Sequence, residues 1–209
     1  MKSAVGKIVL ASDNRGKIEE IRQLVAPLSL QVLPQSVLGV RGAAETGSTF
    51  RENALLKARH AAAATGLAAI ADDSGLEVAA LRNRPGVRSA RFAGESATDD
   101  ENIDKLLAEL ERSGDPERRA RFRCVAAYVE PDGESTVLVA EGIWPGQILA
   151  ARRGFGGFGY DPVFYDPTLQ QSAAEMNKSE KNRFSHRGQA FRKLVELIAD
   201  RLAARSRRE

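Results

Sequence analysis

The chain has 209 residues, 43% hydrophobic and 28% charged, with a formal net charge of +3 and a single cysteine. This is the make-up of an ordinary globular protein with one sizeable core, so residues 1–209 are read as a single domain, with two small lobes the alternative, and with no internal disulfide framework. Neither an apolar run of bilayer length nor a signal-peptide core is found, and a cytoplasmic protein without a membrane partner is expected.

Lys7 to Ala11 predicts a first buried strand, followed by the polar turn Ser12-Asp13-Asn14-Arg15-Gly16-Lys17. A helix follows, with Ile18, Ile21, Leu24 and Val25 on its apolar face, stopping near Pro27. Strand, polar turn and helix offer amide groups and a helix N-terminus to an anion, with Asn14 and Lys17 able to point into the opening; an ordinary helix cap is the alternative. The two glycines and the Lys-Ser/Thr pair of a Walker loop are missing. Leu30 to Leu33 suggests a second strand, and the irregular stretch to Gly47 carries Glu45. Thr49 and Glu52 form a capping box for a long helix with a packing stripe of Ala54, Leu55, Ala58, Ala61 and Ala62. Lys57 lies in its second turn, and His60 reads as a boundary residue.

From Ala69 to Val78 an apolar run meets Asp72-Asp73-Ser74-Gly75 and resumes at Leu76. This predicts a buried strand that emits two acids at its carboxyl end and then turns, the place where open α/β sheets put ligands. Adjacent carboxylates repel unless a cation or a proton sits between them, which points to a hard-metal or acid-base site. A solvated turn with an N-cap aspartate is the alternative. Leu81 to Gly94 reads as a loop with a short extended piece at Val87 to Ala90.

Thr98 and Glu101 cap a helix through Ile103, Leu106, Leu107 and Leu110 that ends at Gly114. Two strands, Phe122 to Val129 and Ser135 to Ala140, flank the hairpin turn Pro131-Asp132-Gly133. Cys124, in the alternating pattern, reads as a packed strand residue. Trp144-Pro145-Gly146 ends that region, with Ile148 and Leu149 a further short strand. In Arg153 to Pro162, glycines alternate with Phe155, Phe158 and Tyr160, which suits a flat ligand such as a base, or else a glycine-kinked strand whose rings enter the core. Lys178, Lys181, Arg183, His186 and Arg187 precede a final amphipathic helix from about Gln189 to Ala204. Its basic end (Arg201, Arg205, Arg207, Arg208) has few aromatics nearby and fits a solvated helix terminus better than a nucleic-acid surface, so no nucleic-acid partner is expected. No second histidine or cysteine stands at zinc-ligand spacing.

Collected, the chain offers Asn14, Lys17, Lys57, Lys181 and Arg187 to an anion, and Glu45, Asp72 and Asp73 as hard oxygen donors. That set suits a polyphosphate held with Mg2+. With the ring-and-glycine segment as a place for a base, the residues point to nucleotide phosphate chemistry.

The segments SDNRGKIEEI, ETGSTFRENALLKARHAA, AIADDSGLEV, PGVRSARFAG, GGFGYDPVF and SHRGQAF occur in this order over nearly the whole chain. Together they resemble the inosine triphosphate pyrophosphatase family, the Ham1-like dITP/XTP pyrophosphatases. The resemblance implies an α/β fold, a mixed central sheet flanked by helices with two lobes around a substrate cleft, and a homodimer. It implies hydrolysis of noncanonical purine nucleoside triphosphates (ITP, dITP, XTP) to the monophosphate and pyrophosphate, which cleanses the nucleotide pool.

Carried over by position, Ser12, Asp13, Asn14, Arg15, Gly16 and Lys17 would hold phosphates, joined by Lys57. Glu45 and Asp73 would bind Mg2+, Asp73 would be the proton acceptor, and Ser74 would touch the substrate. Phe158, Gly159, Tyr160 and Asp161 would form the base pocket, closed by Lys181, His186 and Arg187. Many relatives carry an acid where this chain has Ala44. The competing readings are a Maf-type pyrophosphatase for dTTP, UTP or modified pyrimidines, which should lack the SHRG and FGYDP segments, and a nucleotide sensor without catalysis.

Overall fold

The computed structural model describes residues 6–132 and 136–207. The tip of the expected hairpin (Gly133, Ser135) and Arg208 of the basic tail lie outside the described residues. Among the described residues, eight strands, β1 (Lys7–Leu10), β2 (Gln31–Pro34), β3 (Ala69–Val78), β4 (Arg84–Pro85), β5 (Arg119–Val129), β6 (Val137–Ile148), β7 (Phe164–Asp166) and β8 (Gln171–Ser172), pair in the order β2-β1-β3-β5-β6-β7-β8, with β4 on β3, and five α-helices accompany them. The chain divides into two compact units: Met1–Asp73, Cys124–Gly142 and Arg187–Glu209 form the first, Ser74–Arg123 and Ile143–His186 the second.

In the first unit β1 (Lys7–Leu10) pairs in parallel with β2 (Gln31–Pro34) and with the start of β3 (Ala69–Val78). Parallel neighbours need crossover connections, and these are α1 (Arg15–Val25) and α2 (Phe50–Thr65). Both start where the cap residues predict. Asn14 Oδ1 accepts from the Lys17 amide, and Thr49 and Glu52 form the full reciprocal box. The apolar faces meet in a core of Ile8, Leu10, Ile21, Ile70, Ala126, Phe191, Leu194 and Ile198, the last three from α5 (His186–Ser206). Cys124 is buried in this core, as its alternating pattern predicts.

In the second unit α3 (Asp99–Ser113) begins at the Thr98–Glu101 box and ends on Gly114 in the left-handed region. Its Ile103, Leu106 and Leu110 pack with Leu76, Phe122, Trp144 and Phe164. The last residues of β6 (Val137–Ile148) pair antiparallel with β7 (Phe164–Asp166), and β7 with β8 (Gln171–Ser172). β4 (Arg84–Pro85) pairs antiparallel with the end of β3. β5 (Arg119–Val129) has residues in both units, and α4 (Lys178–Phe184) lies in the second.

Four local expectations are corrected. β3 does not end at its acids but runs through them to Val78, because Leu76 and Val78 continue a strand buried almost throughout. The Val87 to Ala90 piece is not extended; Gly86–Arg91 is a 3-10 turn in which Ser89 Oγ donates to the Gly86 carbonyl at 2.6 Å and accepts from the Leu76 amide at 2.8 Å. β6 continues through Trp144-Pro145-Gly146 as one strand. Gly142, Trp144, Gly146 and Ile148 are buried while Ile143, Pro145 and Gln147 face out, a strict period of two that tolerates proline on the open face. Finally α4 is a helix the sequence reading lacks, and α5 starts at His186, so His186 and Arg187 are its first turn.

Candidate active site

Because β3 continues through the acids, Asp72 and Asp73 are consecutive strand residues that point to alternate sides. Each finds its own lysine. Lys17, in the first turn of α1, places Nζ 3.1 Å from Asp72 Oδ2; Lys57, in the second turn of α2, places Nζ 2.9 Å from Asp73 Oδ1. Lys57 Nζ also lies 2.8 Å from Glu45 Oε1, so two carboxylates separated by twenty-odd residues of chain converge on one ammonium.

Asp72 is almost completely buried, yet it is charged. Burial pushes its carboxyl up, but Lys17, Arg187 and Lys57 outweigh burial and hold it well below the usual carboxylate range. Arg187 Nε lies 3.4 Å from the same Oδ2, and its Nη1 donates to Glu20 Oε2 at 2.5 Å. Arg187 is thus the centre of a buried ion cluster in the first unit. The Cys124 thiol, 3.9 Å from Asp72 Oδ2, is pushed up by burial and by that carboxylate and is no nucleophile.

Asp73 behaves oppositely. Burial is the largest influence, Glu45 adds to it, and despite Lys57 and Lys17 its carboxyl stands above the ordinary range. Lys57 is disfavoured by burial but held up to about 12 by Asp73, Asp72 and Glu45. One oxygen of Asp73 is therefore on a cation, and the other accepts from the buried amide of Asn53 at 3.2 Å.

The polar turn is anchored at its edge: Asp13 Oδ2 accepts from the buried Gln35 at 2.8 Å, and Ser12 Oγ accepts from the Asn14 amide at 3.3 Å. Asp13, Asn14 and Arg15 are exposed, and Gly16 and Lys17 half-buried.

The second unit gathers the base-side candidates. Asp161 Oδ2 accepts from Lys181 Nζ and, at 2.9 Å, from the Phe158 amide. The same ammonium lies 4.5 Å from the centre of the Phe158 ring, a cation–π contact. Gly159 has φ +60 and its amide donates to Asp99 Oδ2 at 2.6 Å, while Tyr160 Oη donates to the Ser89 carbonyl. The segment is a loop, and of its rings Phe155 is fully exposed and Tyr160 buried. His186 stacks on Phe122 with ring centres 4.7 Å apart, and Ser74 is half-buried on β3.

The structure therefore brings Lys17, Glu45, Lys57, Asp72, Asp73 and Arg187 together in the first unit, and Phe158, Gly159, Asp161 and Lys181 in the second. It adds Asn53, Glu20, Gln35 and Asp99, which the sequence reading passed over. Asn53 had a signal: it falls on the buried stripe of α2 with Phe50 and Ala54, where an amide must find polar partners.

Among the described residues no cluster of three or more His, Cys, Asp or Glu suits a metal by itself. Two carboxylates converging on a cation nevertheless match the donor set of a hard divalent ion that takes its other oxygens from substrate phosphates.

Residues 8–197 match the model of the Ham1 family. A protein of Erwinia tasmaniensis named dITP/XTP pyrophosphatase is 53% identical over 92% of this chain and 94% of its own. One of the same name from Methylococcus capsulatus is 53% identical over 95% and 96%. The solved HAM1 protein of Coxiella burnetii superposes with a TM-score of 0.87 at 48% identity, covering 94% of this chain and all of that one. Matched over residues 8–197 and about half identical to these relatives over nearly their whole length, the chain belongs to the Ham1 family.

Proposed function

We propose that the chain hydrolyses noncanonical purine nucleoside triphosphates, ITP, dITP and XTP, to the monophosphate and pyrophosphate with Mg2+. It does so as a homodimer in the cytoplasm, residues 1–209 acting as one catalytic domain, and it clears these nucleotides before polymerases use them. The observation that carries this reading is the convergence of Glu45 and Asp73 on one cation, with Lys17 at the head of the polar turn on Asp72. The names of the relatives point the same way.

Within the first unit the lysines and acids suit phosphates, and within the second Lys181 and Phe158 suit a purine ring. Phosphoryl substitution needs positioning and charge neutralisation more than covalent help. Lys17 and Lys57 neutralise phosphate oxygens, and the polar turn offers amides at the start of α1. Asp73, its carboxyl raised by burial, is a better proton acceptor than a free aspartate; it takes a proton from water attacking the α phosphorus. A divalent ion held by Glu45 and Asp73 supplies, when bound, further positive charge to the phosphates.

Lys181, held over Phe158 by Asp161, is a donor for a 6-keto oxygen. Adenine presents an amino group there and leaves that donor unpaired, at a cost of about 1–3 kcal/mol. Pyrophosphate release from ITP, XTP, ATP and dTTP, with Mg2+ or EDTA, tests the reading. ITP should exceed ATP in kcat/KM by at least about tenfold, and EDTA should stop the reaction. Equal rates on ATP, or release of orthophosphate, would overturn it. With oxygen-18 water the label should appear in the monophosphate.

The loop makes a separate prediction. At Gly157 (φ +77) a Cβ would collide with Asp161 Oδ2, the oxygen that holds both Lys181 and the Phe158 amide. Gly157→Ala should therefore raise KM for ITP by about tenfold, the equivalent of modest backbone strain, and leave the Mg2+ requirement as it was.

A further inference from the structure

Asn53 is completely buried, yet it makes two polar contacts that run in opposite senses. Its Oδ1 accepts from the Gly47 amide at 2.8 Å, and its Nδ2 donates to Asp73 Oδ2 at 3.2 Å. The backbone N–H can only donate and the carboxylate can only accept, so the two bonds together leave the amide one orientation. Gly47 stands two residues beyond Glu45, and an added Cβ there would meet Asn53 Oδ1 at 2.6 Å and Glu52 Cβ at 2.7 Å. The contact thus depends on glycine at 47 as much as on asparagine at 53. Asp73 is left with Lys57 on Oδ1 and Asn53 on Oδ2.

We propose that Asn53 is a positioning residue for the reaction: it clamps the Asp73 carboxylate and the loop carrying Glu45 to the first turns of α2, so that the two acids keep one mutual geometry. It touches no substrate and acts through Asp73. The inference rests on the function proposed above. A carboxylate that must both accept a proton and face a divalent ion loses rate steeply when misplaced, and an error of about 1 Å can cost on the order of a hundredfold.

The test uses the full chain in four forms: wild type, Asp73→Asn, Asn53→Ala and Gly47→Ala. Initial rates on ITP give kcat and KM, and calorimetric titration with Mn2+ alone gives the metal affinity without turnover. Asn53→Ala should lower kcat by about 10- to 100-fold while KM for ITP stays within about twofold, and it should weaken Mn2+ binding severalfold. Gly47→Ala, which pushes on the same Oδ1 and leaves Asn53 intact, should show the same kcat and Mn2+ signature, and it decides the matter should Asn53→Ala fail to fold. A purely structural Asn53 would lower the melting temperature but leave kcat per folded enzyme and Mn2+ affinity at wild-type values, and that result overturns the proposal. Wild type without Mg2+-dependent pyrophosphate release would instead bring down the function on which it rests.

Discussion

Asp73→Asn should abolish turnover on ITP, by about 10²–10⁴-fold for loss of the proton acceptor alone, and leave nucleotide binding measurable. It should do so without a penalty in stability. Burial raises the carboxyl of Asp73 above its unfolded value. A group raised on folding stabilises below its unfolded value and forfeits that contribution as pH rises through the folded one. At pH 8, in EDTA, the ionised carboxylate is therefore a cost; the Lys57 ammonium keeps Glu45 at 2.8 Å as its partner in the variant, so the melting temperature of Asp73→Asn should equal or exceed that of wild type. A variant that melts markedly lower, or one that keeps full activity, would refute the assignment. Strain kept at a reacting group and offset elsewhere in the fold is the usual trade between stability and activity.

Arg187→Met should have the largest effect on stability. Arg187 is buried with Asp72 at 3.4 Å and Glu20 on its other side. Removing it takes a buried cation from both Asp72 and Glu20. Breaking a buried pair from one side costs about 3–5 kcal/mol, which for a chain of this length is roughly 6–20 °C in Tm. Urea midpoints at pH 7.5 measure it. The pH dependence has the opposite sign to that of Asp73. The carboxyl of Asp72 is depressed on folding, so its contribution is present above the unfolded value of about 3.9 and lost as pH falls through the folded one. The gap between wild type and Arg187→Met should narrow below about pH 4. A loss under 1 kcal/mol at pH 7.5 would mean the cluster is relaxed or hydrated in solution.

Arg187 lies in the first turn of the last helix, not in the basic segment before it. The resemblance places Lys181, His186 and Arg187 together over a base. In the structure Lys181 is bound by Asp161, His186 lies flat on Phe122, and Arg187 reaches Asp72 and Glu20. Of the three, Lys181 and His186 belong to the second unit and Arg187 to the first.

Some of this was written locally. Thr49 and Thr98 cap their helices as expected, Asn14 caps α1 as the alternative for the polar turn had it, Gly114 ends α3, and the apolar periods name Ile21, Val25, Ala54, Ala58, Ala61, Ala62, Ile103, Leu106 and Leu110 correctly as buried, while Ile18, Leu24, Leu55 and Leu107 are half-buried. Caps and amphipathic stripes are short-range: the groups that satisfy each other stand three or four residues apart, so their spacing is visible in the chain. The ordered motifs likewise named the family and most of the acids and lysines. Where local signals competed, reading failed. Proline and glycine at 145 and 146 look like a break, but the alternating burial of β6 and the packing of Gly146 against Phe164 carry the strand through.

The amino-acid sequence alone determined the inventory: which helices begin where, which faces are apolar, and which side chains bring charge. Only the tertiary structure decided the partnerships, that Lys17 takes Asp72, 55 residues away, that Lys57 takes both Asp73 and Glu45, and that Arg187 reaches Glu20 across 167 residues. Adjacent aspartates look equivalent in a string of letters. On a strand they face alternate sides, and burial with different cations depresses one carboxyl and raises the other.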